Sequence, residues 1–252
     1  MSLGNAKFEK FMKISIVVPA FNEEQLLAAS LQRLHEAMSA FVRRGWAPEL
    51  IVCDNNSTDR TAAIARAAGA RVVFEPVNQI SRARNSGAAH AQGDWLIFVD
   101  ADSYPSPALC EDVAREIQSG RCLAGGSTVR MESSRPVIRS LGFLWNALSR
   151  INKWGAGAFI FCEAATFRRL GGFSQELYAA EEIDLFRRLK RLARREGRAI
   201  AILHRHPLET SGRKATLYTA RELLMFMLKT VATGGRTLRS PKECFSWYDG
   251  RR

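Results

Sequence analysis

The chain has 252 residues, of which 46% are hydrophobic and 25% charged, with a formal net charge of +12. That length suits one large domain with a substantial core, and the composition is that of a globular protein, without fixed-period repeats or low-complexity tracts. The positive balance favours polyanionic partners: nucleic acid, an anionic membrane face or phosphorylated small molecules.

The predicted elements alternate. "KISIVVPAFNEE" opens with a β-branched run that ends at Pro19 and turns polar, a buried strand delivering a loop. From Glu23 to Arg44, Leu27, Leu31, Leu34, Met38, Phe41 and Val42 recur at helical spacing. "PELIVCDNNSTDRT" repeats the scheme, with Ser57 or Thr58 as the cap of a helix through "TAAIARAAGA". "RVVFEP" is a third strand, "ISRARNSGAAHAQG" a helix and "WLIFVDAD" a fourth strand. Such alternation predicts βαβ units and a mostly parallel sheet with helices on both faces. After residue 120 the pattern loosens. "RCLAGGSTVRM" reads as a strand and "VIRSLGFLWNALSRINKW" as an amphipathic helix. "GAGAFIFCEAATFRRLGGF" reads as a strand, short helix and turn, followed by a basic helix in "AAEEIDLFRRLKRLARREG", a strand "RAIAIL" and a helix in "TLYTARELLMFMLKTVATGG".

Cys53, Cys110, Cys122, Cys162 and Cys244 are scattered, without a Cys-x-x-Cys pair, and read as buried free thiols in a reducing compartment. The N-terminal stretch lacks the apolar core of a signal peptide, and "LLMFML" (223–228) is far too short to span a bilayer. The expected location is therefore cytoplasmic.

Three predicted strands end in polar loops, and in an open α/β sheet the carboxyl ends of the strands form the ligand crevice. Asp100 and Asp102 lie at alternate positions, so both fit one sheet edge. They form either a solvated strand end or a pair of hard oxygen ligands for Mg²⁺ or Mn²⁺. Asp54, at the end of "LIVC", is placed to accept hydrogen bonds from a base or ribose. Arg82 and Arg84 form either an exposed helix face or a guanidinium site for diphosphate. Glu181, Glu182 and Asp184 complement a helix dipole, or supply a general base. His204 and His206 read as solvent-exposed, with a third metal ligand as the alternative.

In this order and spacing, "SIVVPAFNEE", "IVCDNNSTDRT", "ARNSGAAHAQGDWLIFVDAD", "GGF" and "EEIDLFRRL" resemble family 2 glycosyltransferases over roughly residues 13–190. The resemblance implies the GT-A fold: a Rossmann-like, mostly parallel mixed sheet flanked by helices, in a single domain with a C-terminal helical extension. It divides the chain into an N-terminal extension (1–12), a nucleotide-sugar-binding half (13–120), an acceptor-binding and catalytic half (121–215) and a C-terminal helix and tail (216–252). It implies that Pro19, Ala20, Phe21 and Glu23 line the nucleotide pocket, that Asp54 contacts base or ribose and that Arg84 lies near the diphosphate. Asp100 and Asp102 match the family's Asp-x-Asp, with Asp102 the direct ligand of Mg²⁺ or Mn²⁺. Glu182 falls on the catalytic base position beside Glu181, where the family commonly has Glu-Asp. A second departure is Asn55, where Asp is frequent, which implies altered base recognition. "LETSGRK" resembles a segment that would bring Arg213 to the diphosphate or acceptor.

The implied reaction is inverting, metal-assisted transfer of a sugar from a nucleotide-sugar to an acceptor hydroxyl, on a sugar, lipid-linked or small-molecule acceptor. One alternative is a nucleotidyltransferase, although "VVPAFNEE" is acidic where a phosphate loop would be glycine-rich and basic. Another is a nucleic-acid binder, but aromatic and basic residues are not interleaved in a recognisable pattern, so no nucleic-acid partner is expected. "LFRRLKRLARREGR" reads as a solvated face over a stripe of Leu185, Leu189 and Leu192; its alternative is peripheral contact, with the "LLMFML" helix, on an anionic membrane.

Overall fold

The computed structural model describes residues 11–132, 136–211, 220–244 and 248. Eight strands form one sheet in the order β3-β2-β1-β4-β7-β6-β8-β5. Its first half is parallel: β1 (Lys13–Ala20) lies between β2 (Ala47–Asp54) and β4 (Trp95–Val99), with β3 (Arg71–Phe74) outside β2. These strands are nearly continuous apolar runs because both faces of the sheet are covered. In β1, Ile14, Ile16, Val18 and Ala20 face one core with helices α1 (Leu27–Val42) and α4 (Pro107–Gln118). Val17 faces the other, with α3 (Ile80–Ala89), α6 (Ala164–Arg169) and α7 (Glu181–Arg195). The remaining helices are α2 (Thr61–Ala67), α5 (Pro136–Asn152) and α8 (Ala220–Ala232). A Cβ on Gly87 would stand 2.4 Å from Val17 Cγ1, so glycine there lets α3 lie close on β1.

The second half reverses direction. β7 (Phe159–Glu163) is antiparallel to β4 and to β6 (Cys122–Glu132), and β8 (Ala199–Ser211) runs parallel to β6. Two register shifts interrupt the β6–β8 pairing, and such irregularities bend a strand pair. The far end of β8 then meets the two-residue β5 (Ser103–Tyr104), which leaves β4 after only Asp100–Asp102. The sheet curls, and Ser211 arrives over Asp102, whose carbonyl accepts its N–H.

The predicted α/β class and mostly parallel mixed sheet hold, with some differences in the elements. Helix α4 has no counterpart in the sequence reading, although Ser106 caps it by accepting the Leu109 N–H (3.1 Å) ahead of Pro107. β8 runs eight residues past "RAIAIL", because pairing with β6 and β5 sustains a half-exposed strand that has no apolar run. Ser57 and Thr58 do not cap α2. Asp59 accepts from the Thr61 N–H and hydroxyl instead, while Ser57 Oγ accepts from Asn22 N–H at 3.0 Å. All five cysteines are free and buried, and burial pushes the thiols of Cys53, Cys110 and Cys122 up to about 12.

Candidate active site

The ends of β1, β2 and β4 lie side by side, with Ala20 in register with Asp54. The loops after β1 and β2 are laced together: Glu23 N–H donates to Thr61 Oγ1 (2.8 Å), and Asn22 Oδ1 accepts from Thr58 N–H (2.8 Å). Pro19, Ala20 and Glu23 are buried there, with Phe21 partly exposed. Asp54 is buried and its Oδ1 accepts the Ser57 N–H (3.1 Å), which fixes the loop that follows it.

Asn55 is buried. Its side chain turns into the protein, donating to the carbonyls of Glu75 (3.2 Å) and Val77 (2.6 Å) and accepting the Gln79 N–H (2.9 Å). It braces the segment that leads into α3, a task that needs the amide's donors and that a carboxylate lacks.

Arg84 is the centre of the site. It is 1% exposed, although the sequence alone allowed an exposed helix face. Its Nη1 donates to Glu181 Oε1 (2.5 Å), and its Nη2 to Asp100 Oδ1 (2.9 Å) and to the Gly157 carbonyl (2.9 Å). Phe173 lies beneath the guanidinium, 5.2 Å from ring centroid to Cζ. The neighbouring Asn85 exchanges hydrogen bonds with the Phe173 backbone, both at 2.9 Å. Gly172, with φ +70, brings the chain so close that a Cβ would meet Asn85 Oδ1 at 2.5 Å. The "ARN", "DAD", "GGF" and "EE" segments therefore form one cluster around a single cation. Burial works against the charge on Arg84, but Asp100, Glu181 and Glu182 outweigh it and raise its pKa. Both Nη atoms of Arg84 are thus spent on protein acceptors, and the side chain is enclosed.

The carboxylates divide accordingly. Asp100, 18% exposed at its side chain, is paired with Arg84. Asp102 is 5% exposed, and its one side-chain partner among the described residues is the Ser211 hydroxyl, at 3.3 Å. Glu181 is buried in its ion pair, whereas Glu182 is partly exposed and makes no ion pair among the described residues. Burial, and then the neighbouring Glu181 carboxylate, push Glu182 up to about 8, partly offset by Arg84. Ala180, just before α7, holds a left-handed φ of 60°, a strained conformation that sets the entry of both glutamates.

The histidines lie apart from this cluster. His206 Nδ1 meets Asp112 Oδ2 at 2.8 Å, and His204 is exposed on β8. Among the described residues no group of three or more His, Cys, Asp or Glu is placed to hold a metal, so the alternative of a histidine as third ligand is not supported. Arg213 lies outside the described residues. Sequence reasoning missed Gly157, Ser211 and Tyr248. A Cβ on Gly157 would stand 3.5 Å from Glu182 Cδ, so a larger side chain would fill the space beside that carboxyl. The Tyr248 hydroxyl accepts the Ile80 N–H (3.3 Å) at the start of α3, and its ring meets Tyr178 edge-on. Only the doubled glycine and the small-residue run "GAGA" could have pointed to close backbone approach; nothing local marks Ser211 or Tyr248.

The family model described as "Glycosyl transferase family 2" matches residues 15–171, more than half of the chain, and includes the "ARN" and "DAD" segments, while Gly172, Phe173 and the glutamate pair lie beyond its end. The chain belongs to glycosyl transferase family 2. An uncharacterized glycosyltransferase of Haemophilus influenzae is 27% identical over 190 residues, 70% of this chain and 61% of the relative, so the chain spans about three-fifths of that protein's length. The fold resembles the mannosyltransferase PcManGT of Pyrobaculum calidifontis, solved with GDP-Man and Mn²⁺, with TM-score 0.62 and 17% identity over 86% of this chain and 60% of that one. It also resembles glucosyl-3-phosphoglycerate synthase of Mycobacterium tuberculosis, solved with Mn²⁺, UDP and glucosyl-3-phosphoglycerate, with TM-score 0.57 and 22% identity over 96% and 81% of the two chains. These likenesses establish the GT-A fold.

Proposed function

We propose that this glycosyltransferase moves a sugar, with inversion, from a nucleoside-diphosphate donor to an acceptor hydroxyl, assisted by Mg²⁺ or Mn²⁺. The carrying observation is the division of labour around Arg84. One cation holds Asp100 and Glu181, and leaves Asp102 and Glu182 as the two carboxylates of the cluster without an ionic partner among the described residues.

Asp102 fits a hard divalent cation: a buried carboxylate whose one described side-chain contact is a 3.3 Å hydroxyl has lone pairs to give, and its carboxylate oxygens suit Mg²⁺ or Mn²⁺. Such an ion, when bound, supplies charge neutralisation for the departing diphosphate. Asp100, turned by Arg84, orients the loop that carries Asp102. The base and ribose lie against Pro19, Ala20, Phe21, Glu23 and Asp54 at the ends of β1 and β2, with Asn55 bracing the wall behind them. Glu182 takes the proton from the acceptor hydroxyl as its oxygen attacks the anomeric carbon. A base is most effective when its pKa lies near the operating pH, which suits a carboxylate raised by burial and by Glu181. Residues 13–120 then serve the donor and 121–215 the acceptor.

The test is calorimetric titration with nucleoside diphosphates, with and without Mn²⁺. Asp102→Asn is expected to remove the Mn²⁺-dependent gain in affinity. The same metal-dependent gain in the variant would defeat the assignment of Asp102. Thermal shifts with nucleotide-sugars would identify the base and sugar, since a ligand of the native state raises its melting point.

A further inference from the structure

Helix α5 carries an apolar surface that nothing among the described residues covers. Phe143 and Ile151 are 78% and 79% exposed, and Leu144 and Leu148 are exposed with them. At 3.6 residues per turn these four side chains fall within about 140° of the helix circumference. Trp145 and Ser149, on the opposite side, pack inward. Isolated exposed leucines need no explanation, but a contiguous patch on one helix face marks an interaction site.

The surroundings of this face are cationic. The sequence of α5, "PVIRSLGFLWNALSRIN", contains no acidic residue. Beside the helix a groove of about 570 Å³ is lined by Phe143, Arg150, Arg130 and His204. At its C-terminal end a second groove is lined by Ile151, Lys153 and Arg194. Arg150 and Lys153 make no ion pair among the described residues, and the whole chain carries +12. No helix among the described residues is long and apolar enough to cross a membrane.

We propose that this face of α5 docks the protein peripherally on an anionic lipid bilayer. Phe143, Leu144, Leu148 and Ile151 enter the headgroup region, and Arg150, Lys153 and Arg194 meet lipid phosphates. An amphipathic helix with an apolar face and basic flanks lies in the plane of such an interface, and basic residues close to an anionic leaflet are drawn to it. A second copy of the chain fits less well. A two-fold contact through this face would set its cationic flank against the same flank of the partner copy, and like-charge juxtaposition opposes association. The membrane contact considered from sequence rested on α7 and on the "LLMFML" helix, where Met225 and Leu228 are also exposed. Leu185 and Leu189 of α7 are wholly buried, so α7 offers charge but no large apolar side chain to insert. The docking does not depend on the proposed reaction.

The full chain would be sedimented with vesicles of phosphatidylcholine alone and with vesicles also containing phosphatidylglycerol. Binding only to the anionic vesicles, falling with added salt, is expected. Phe143→Ser with Ile151→Ser should lower the bound fraction at least about tenfold, since each buried side chain of this size contributes more than a factor of ten. Each charge removed in Arg150→Gln and Lys153→Gln should lower it about fivefold, with melting temperatures unchanged in both variants. As an independent measure, Ile151→Cys would be labelled with an environment-sensitive dye, which the buried native thiols leave selective. Its emission should shift to the blue on anionic vesicles. Absent or charge-independent vesicle binding, or an unshifted dye, overturns the proposal. So does concentration-dependent dimerisation that the serine variant abolishes in a protein that ignores vesicles, which would give the face to a second copy.

Discussion

The two acidic pairs of the site, Asp100/Asp102 after β4 and Glu181/Glu182 at the start of α7, are built on one plan in different surroundings. In each pair Arg84 takes one carboxylate and leaves its neighbour. The neighbour at the strand end, Asp102, has hydroxyl company from Ser211. The neighbour at the helix start, Glu182, is partly buried beside another carboxylate, and burial and then that carboxylate raise its pKa above the ordinary value. Under the function we propose, the contrast teaches how one fold would make a cation ligand and a proton acceptor from nearby acids. A single buried guanidinium offsets part of the charge that opposes the gathering of Asp100, Glu181 and Glu182.

Removing the shared cation would break the comparison most severely. Arg84→Met keeps much of the volume but strands Asp100 and Glu181, and breaking a buried pair from one side costs about 3–5 kcal/mol. Urea unfolding should show a loss of this size. A loss under about 1 kcal/mol would mean that the cluster is solvated and that Arg84 does not organise it.

A smaller effect is expected at Asn55. Asn55→Asp removes the two N–H donors that meet Glu75 and Val77, leaving buried carbonyls unsatisfied at about 1–3 kcal/mol. If that variant is as stable as the parent, the amide is not the brace described here.

The smallest effect is one of slope. The unfolded chain ionises Glu182 near the ordinary 4.5, while the folded chain holds its proton up to about 8. Between those values the folded state binds more protons than the unfolded one, so this group makes stability fall as pH rises through the window. Glu182→Gln abolishes that contribution. The variant should therefore gain stability relative to the parent from the low end of the window to the high end, in melts across pH. A relative loss would show that the carboxylate is ionised and stabilising.

How far these features were legible depended on whether their cause was local. "ISIVVP", "LIVC" and "WLIFV" declare themselves as strands because both faces of the sheet are buried, and α7 does so because Leu185 and Leu189 recur on one stripe above exposed arginines. Helix α4 was overlooked although Ser106-Pro107 is a local start signal, because Asp112 and Glu111 interrupt its apolar face. The extension of β8 to Ser211 has no local signature, since its pairing is with β6 and with two residues of β5. In the site, the acids announced themselves at strand and helix ends. Which of them would meet Arg84 did not, because Glu181 lies 97 residues away in sequence and Asp100 lies 16 away. Asn55 was visible as a departure, but only the geometry of the Glu75–Gln79 segment gives it a structural task.

The central claim is that Arg84 reserves Glu181 for structure and leaves Glu182 for proton transfer. The most direct measurement compares Glu181→Gln and Glu182→Gln for sugar transfer, for metal-dependent nucleotide binding and for unfolding free energy. Glu182→Gln should keep fold and nucleotide binding while transfer falls about 10²–10⁴-fold, the usual contribution of a general base. Glu181→Gln should show its main loss in stability. A folded Glu181→Gln that binds nucleotide but cannot transfer, beside a fully active Glu182→Gln, would contradict the account.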